Sequence, residues 1–144
     1  MVSALTGCTT KCYTYGCADD TSWVVALRDP DDVHHAAAVA VDEAIGDESV
    51  LIAAVTLAEC LVAPAKLGNA DVAEAALRAA FDIEDHDDSA PRRWASRRAV
   101  AELRLPDAIV MEAALHHGAR GIATFDARLA ACCRAAGLDV LGDV

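Results

Sequence analysis

Four acidic residues lie where the sequence predicts that strands end or helices begin, and they are the strongest candidates for chemistry. Asp20 follows the first predicted strand, and Glu59 lies in the first turn of the helix after the second strand. Asp107 starts a helix that leads into the fourth strand, and Asp126 comes directly after that strand. Ligands of parallel sheets gather beyond the carboxyl ends of the strands, so these four side chains can meet at one site.

A cluster of carboxylates requires a source of positive charge. Two carboxylates about 4 Å apart repel by roughly 4 kcal/mol at an effective dielectric near 20, so four are stable together only when protonated or neutralised. No Cys or His stands at ligand spacing beside them, and hard oxygen donors favour Mg²⁺ or Mn²⁺ over zinc. Such an ion can activate a water molecule and stabilise the leaving oxygen of a phosphodiester.

Each of these acidic residues also has an ordinary structural interpretation. Thr56 and Glu59 have the spacing of a capping box at a helix N-terminus. Asp107 follows a proline at a helix start, where the helix dipole favours an acid. Asp126 is a candidate N-cap, and Asp20 is a candidate turn residue. Any one of them taken alone is therefore no evidence of function.

The elements that must position these residues alternate between strand and helix along the chain. Short apolar segments predict strands over residues 13–15, 49–55, 81–84, 121–125 and 138–141. Capping residues and prolines predict helices that begin near residues 29, 56, 70, 89, 105 and 126. This alternation predicts an α/β fold, namely a three-layer α/β/α sandwich around a central, mostly parallel sheet of about five short strands.

Composition is consistent with one compact domain. The chain has 144 residues, of which 55% are hydrophobic, so residues 1–144 form a single predicted domain with residues 1–17 as an irregular N-terminal segment. No apolar run approaches the roughly 20 residues that span a bilayer, and no Cys-x-x-Cys pair predicts a zinc ribbon. We therefore expect a cytoplasmic protein with reduced thiols and no membrane partner.

The acidic segments together resemble the PIN domain, and in particular the VapC family of toxin ribonucleases from bacterial toxin-antitoxin pairs. Asp20-Thr21-Ser22 is similar to that family's first motif. The segments 55–60 (Val-Thr-Leu-Ala-Glu-Cys), 105–108 (Leu-Pro-Asp-Ala) and 123–126 (Ala-Thr-Phe-Asp) are similar to its second, third and fourth motifs. The motifs occur in the family's order and span the chain from Asp20 onward.

The resemblance implies a metal-dependent endoribonuclease that hydrolyses RNA with Mg²⁺ or Mn²⁺. It implies that Asp20 and Asp107 are the inner ligands of the ion and that Glu59 and Asp126 complete the site, directly or through water. Three hydroxyl side chains are candidates for orienting a carboxylate or a water molecule, with ordinary turn and cap roles as the alternative. They are Thr21, Ser22 and Thr124.

The charge of the chain limits how it can hold RNA. The formal net charge is −11, so the long-range field repels nucleic acid. Arg93 and Arg97 lie one helical turn apart in the densest basic segment and are candidates for binding RNA phosphates. The alternative is a solvated face that pairs with acids.

The resemblance also implies protein partners. A toxin of this family is held inactive by a cognate antitoxin, which commonly inserts an arginine into the carboxylate cluster. A homodimer or higher homo-oligomer is expected, with the Ala-rich segments 36–44 and 70–80 as candidate interfaces.

Two questions remain open in the sequence. Asp19 is adjacent to Asp20 and competes for the role of first ligand, although the spacing to Thr21 and Ser22 favours Asp20. A second function class is a PIN-like module that binds proteins without catalysis. A phosphoacceptor receiver has a similar sheet, but it needs a lysine after a late strand, and the chain contains only Lys11 and Lys66.

Overall fold

A five-stranded parallel sheet forms the centre of the protein. The computed structural model describes residues 17–142, with side chains described from Asp20 onward. The strands are β1 (Cys17–Asp19), β2 (Val50–Ile52), β3 (Asp82–Ile83), β4 (Gly121–Ala123) and β5 (Asp139–Leu141). They lie in the order β3-β2-β1-β4-β5, and each neighbouring pair is parallel. The predicted α/β fold with about five short strands is confirmed.

Seven helices within residues 17–142 connect or cover these strands. They are α1 (Thr21–Arg28), α2 (His35–Ile45), α3 (Ala54–Lys66), α4 (Ala70–Ala80), α5 (Ala90–Ala101), α6 (Leu105–His116) and α7 (Ala127–Ala135). None of these helices has the length and apolar character required to cross a membrane.

The sheet separates two hydrophobic cores, as the three-layer prediction requires. Successive residues of a strand face opposite sides of a sheet. Leu51 and Ile122 accordingly pack in one core with α6 and α7, whereas Ile52 and Ala123 pack in the other with Trp23 and neighbouring residues. Both faces of β2 and β4 are covered, which explains why these two strands contain only apolar residues.

Helix α6 is buried on all sides for most of its length. Every residue from Asp107 to Ala114 is buried, and six of these eight residues are apolar. A helix that is apolar all round belongs in a protein interior rather than on its surface. The two acidic residues in this run, Asp107 and Glu112, therefore each need a partner inside the protein.

The helix predicted to begin near residue 29 begins instead at His35, and that prediction is wrong. The carboxylates of Asp29 and Asp32 accept hydrogen bonds from the backbone N–H groups two residues later, at 3.0 and 2.8 Å. Such local bonds compete with helical ones and favour turns. The preceding apolar segment forms the separate helix α1.

The capping box predicted from Thr56 and Glu59 is also wrong. Helix α3 begins at Ala54 with Ala53 as its N-cap residue, so both side chains lie inside the helix. Pro64 is accommodated in the last turn, and the helix ends at Lys66 rather than at the proline. The strand predicted over residues 13–15 lies outside the described residues.

Candidate active site

The register of the sheet brings three candidate segments to one edge. Asp19 pairs with Ile52 on one side and with Ala123 on the other, so β1, β2 and β4 end at the same level. Beyond the strand, the backbone N–H of Asp20 donates to the carbonyl of Ala123 at 3.1 Å. Asp20 therefore lies beside the segment that follows β4, where Thr124 and Asp126 are found.

Two hydroxyl groups hold the carboxylate of Asp20 in place. Ser22 Oγ and Thr124 Oγ1 both donate to Asp20 Oδ2, at 2.7 and 2.9 Å. Each hydroxyl in turn accepts a backbone N–H, from Phe125 and Asp126 respectively, both at 3.0 Å. Those N–H groups direct the hydroxyl hydrogens toward Asp20, which is 7% exposed. This network fixes one oxygen of Asp20 and with it the orientation of the whole carboxylate.

Asp126 is the N-cap of α7, as its structural interpretation predicted. Its Oδ1 accepts the backbone N–H of Leu129 at 2.8 Å. Its Oδ2 lies 3.6 Å from Nη2 of Arg104. The capping role thus engages one oxygen and leaves the other facing the cluster, so capping and ligand roles are compatible in one side chain.

Asp107 lies in the first turn of α6 and is 5% exposed. Arg104 donates to both of its oxygens, at 2.9 Å from Nε and 3.3 Å from Nη2. Burial raises the pKa of Asp107, the Arg104 guanidinium opposes that rise, and the charges of Asp20 and Asp126 add to it. The net direction is upward, so the folded protein resists ionising this carboxyl group.

Glu59 occupies a more exposed position on α3. Its Oε2 accepts a hydrogen bond from Thr21 Oγ1, which links it to the residue next to Asp20. Of the hydroxyl candidates, therefore, Ser22 and Thr124 contact Asp20, and Thr21 contacts Glu59. The side chain of Asp19, the competing first ligand, lies outside the described part of the structure.

The donor set fits a hard divalent ion. Mg²⁺ is commonly held by one or two carboxylates and retains several water ligands. Asp20 and Asp107 are buried acidic side chains with mutual repulsion, and Asp126 Oδ2 faces the same region. Among the residues whose side chains are described, no three His, Cys, Asp or Glu side chains already form a metal-binding group.

Arg93 and Arg97 both form ion pairs with the buried carboxylate of Glu112. Arg93 Nε lies 3.2 Å from Oε1 of Glu112, and Arg97 Nη2 lies 2.9 Å from its Oε2. Glu112 is 6% exposed, and Arg93 also pairs with Asp87 at 3.1 Å. The two arginines join α5 to α6, which matches the acid-pairing alternative to their predicted role in RNA binding.

Three residues that were not predicted from the sequence form buried or partly buried ion pairs in the structure. Arg104 stands three positions before Asp107, a spacing at which helical side chains meet, and this signal was available. Glu112 lies in an otherwise apolar segment, which indicates a buried ion pair. Glu84 follows β3 and is buried 3.4 Å from Nε2 of His117. Burial raises the pKa of Glu84, and the charge of His117 opposes that rise.

Several solved structures have a fold similar to that of this chain. A toxin-antitoxin complex from Klebsiella pneumoniae superposes with a TM-score of 0.72 at 22% identity, covering 89% of this chain and 99% of that chain. VapC20 from Mycobacterium tuberculosis, a sarcin-ricin loop cleaving toxin, gives 0.65 at 23% identity, with 85% and 96% covered. VapBC2 from Rickettsia felis, bound to a DNA fragment from its promoter, gives 0.63 at 13% identity, with 85% and 95% covered.

Sequence comparison identifies the family directly. Among curated proteins, none matches the sequence. The family model of the PIN domain matches residues 20–135, which is most of the chain and includes all four acidic motifs. The match begins at Asp20, the first carboxylate of the cluster, and ends within α7. The chain therefore belongs to the PIN domain family.

Proposed function

We propose that this protein is a metal-dependent endoribonuclease and the toxin of a toxin-antitoxin pair. The observation that carries the proposal is the cluster formed by Asp20, Asp107 and Asp126 at the carboxyl edge of the sheet. Two of these carboxylates are buried, and among the described side chains the guanidinium of Arg104 is in contact with the cluster. A protein that buries mutually repelling acids keeps an arrangement that costs stability, as expected for a catalytic site.

The residues of the cluster have distinct tasks in this proposal. Asp20 and Asp107 hold the divalent ion, Mg²⁺ or Mn²⁺, with Glu59 and Asp126 completing the site directly or through water. Ser22 and Thr124 keep Asp20 oriented through their hydrogen bonds to Oδ2. When bound, the ion supplies an activated water and charge stabilisation for cleavage of the phosphodiester.

The substrate class rests on the family and on its structural relatives. VapC20, which shares this fold, is a toxin that cleaves the sarcin-ricin loop. We propose RNA as the substrate here and the cytoplasm as the compartment in which the enzyme meets it. In this proposal Arg93 and Arg97 contact RNA phosphates while they keep their ion pairs with Glu112.

Partner proteins follow from the same relatives. The complex from Klebsiella pneumoniae contains an antitoxin, which supports a cognate antitoxin for this chain. Three large apolar side chains on α3, on α4 and in the turn between them are exposed and are available for a partner or for a second copy: Val62, Leu67 and Val72. We propose a homodimer or higher homo-oligomer, which sedimentation equilibrium of the purified protein tests. A monomer at every concentration would contradict this part of the proposal.

The test of activity is cleavage of a mixed RNA substrate with Mg²⁺ or Mn²⁺, beside an EDTA control. Asp107→Asn and Asp20→Asn should abolish cutting, because each removes a ligand charge while keeping the side-chain shape. Asp42→Asn is the matched control, since Asp42 is exposed on α2 and its substitution changes the net charge equally. Folded wild-type protein that does not cut any RNA in either metal would favour the second function, a protein-binding PIN module without catalysis.

A further inference from the structure

The side chain of Arg104, a residue of this same chain, forms ion pairs with two carboxylates of the cluster. It is the N-cap residue of α6, and its backbone is extended at φ −63° and ψ 154°. The side chain is 72% exposed, yet the guanidinium reaches into the cluster. It contacts both oxygens of Asp107 and lies 3.6 Å from Oδ2 of Asp126.

These contacts use the oxygens that a cation would need. Asp126 Oδ1 is engaged by the backbone of α7, and Asp20 Oδ2 by two hydroxyl groups. Both oxygens of Asp107 and the remaining oxygen of Asp126 face Arg104. A divalent ion bound at Asp107 would meet a guanidinium on the same atoms, and the two positive charges repel each other.

Nothing else in the described structure holds the guanidinium there. Within residues 20–142, the ion pairs and hydrogen bonds of the Arg104 side chain are with Asp107 and Asp126. An exposed arginine paired only with carboxylates is held weakly and screened by solvent, so it can leave at small cost. The pair therefore offsets part of the negative charge of Asp107 and Asp126 and is weak enough to be displaced.

We infer that Arg104 is an internal counter-cation of the site, which competes with the divalent ion for Asp107 and Asp126 and must leave them before the ion binds. This inference rests on the proposed metal centre. Arg104 acts as a positioning residue: it offsets part of the negative charge of the cluster in the metal-free protein and lowers the apparent affinity for metal. Its removal should therefore improve metal binding, whereas removal of a residue that assists the metal would impair it.

The test measures Mn²⁺ binding to the purified protein without RNA, by isothermal titration calorimetry and by electron paramagnetic resonance of free Mn²⁺. Arg104→Met should bind Mn²⁺ about fivefold more tightly than wild type, which is the scale of one exposed ion pair. Arg104→Lys keeps the positive charge and should remain closer to wild type than Arg104→Met. Arg78→Met is the matched control, because Arg78 pairs with Glu74 on α4 and its loss changes the net charge equally.

Each outcome decides the inference. Tighter binding by Arg104→Met with no change in Arg78→Met supports it. Equal or weaker binding by Arg104→Met overturns it and leaves the metal centre standing. Folded wild type and Arg104→Met that both fail to bind Mn²⁺ overturn the metal centre together with the inference.

Discussion

Asp107→Asn should abolish cleavage and, in the absence of metal, make the protein more stable. The substitution keeps the size of a side chain that is 5% exposed, so packing around the start of α6 is preserved. It removes one negative charge from a buried cluster that includes Asp20 and Asp126. The folded protein then no longer has to keep that charge away from water and beside like charges.

The size of the gain follows from two opposing effects. Burial is the main cause that raises the pKa of Asp107, so the variant gains stability chiefly because no charge has to be desolvated, and the loss of repulsion from Asp20 and Asp126 adds a smaller gain. The neutral amide of Asp107→Asn also loses the charge-assisted bonds from the guanidinium of Arg104, which offsets part of the gain. We expect a net increase of about 1 kcal/mol in the free energy of unfolding, or about 3 °C in Tm.

Urea denaturation with EDTA across a pH series measures this difference. The pKa of Asp107 is raised in the folded state, so proton binding favours folding. Protonation of Asp107 therefore contributes to the free energy of unfolding of the wild type. This contribution is fully present below the unfolded pKa of about 3.9 and is lost as the pH rises through the folded pKa. The advantage of Asp107→Asn should therefore be greatest near neutral pH and shrink as the pH falls toward about 4.

Added metal should reverse the order of stability. Wild type gains stability from bound Mg²⁺ or Mn²⁺ by mass action, and a variant without the ligand charge gains less. A lower stability of Asp107→Asn in EDTA at neutral pH would refute the claim that the cluster carries electrostatic strain. An advantage that grows with acidity would refute the assigned direction of the pKa.

Three further substitutions test how the site is supported. Thr124→Val should lower cleavage by about tenfold to a hundredfold in an RNA assay and cost about 1–2 kcal/mol in urea unfolding. The reason is that Asp20 loses a donor and the part-buried N–H of Asp126 loses its acceptor. Glu112→Gln should cost about 1–2 kcal/mol by the same assay, because two half-buried arginines lose their shared countercharge. Gly121→Ala should cost about 1–3 kcal/mol, since the added Cβ would lie 2.9 Å from a backbone carbonyl oxygen of β5. In Gly118→Ala the added Cβ meets open space, so the cost comes only from the backbone strain at φ 67°.

Conservative variants serve as controls for these three substitutions. Thr124→Ser retains the hydroxyl and should keep most of the activity, and a loss equal to that of Thr124→Val would contradict the hydrogen-bond account. Glu112→Asp keeps the charge and should be less harmful than Glu112→Gln. A melting temperature of Gly121→Ala equal to that of wild type would mean that β4 and β5 can separate to make room for the added Cβ.

The main elements of the fold could be predicted because local pattern and tertiary position agree. The apolar run around β2 predicts a strand covered on both faces, and Leu51 and Ile52 do lie in opposite cores. Element boundaries were less predictable. The prediction extended this strand to Val55, but Ala53 is the N-cap of α3, and an alanine gives no sequence signal for a helix start.

The candidate site divides in a similar way. The order of the motifs points to Asp20, Asp107 and Asp126. Parallel register explains why the segments after β1 and β4, which carry Asp20 and Asp126, converge, whereas Asp107 is positioned by α6. The contact of Arg97 with Glu112 was beyond sequence reasoning, because it depends on how α5 packs on α6. The contact of Arg104 with Asp107 is local, and its spacing of three residues was a usable signal.

The central place of β1 has a consequence for synthesis of the protein on the ribosome. The hydrogen bond that orients Asp20 comes from Thr124, 104 residues later in the chain. At roughly 5–20 residues per second, Asp20 therefore waits on the order of 5–20 s for its orienting partner to be translated. A nascent chain that has not yet reached Thr124 lacks this contact, so the acidic cluster can assemble only after most of the described chain has been made.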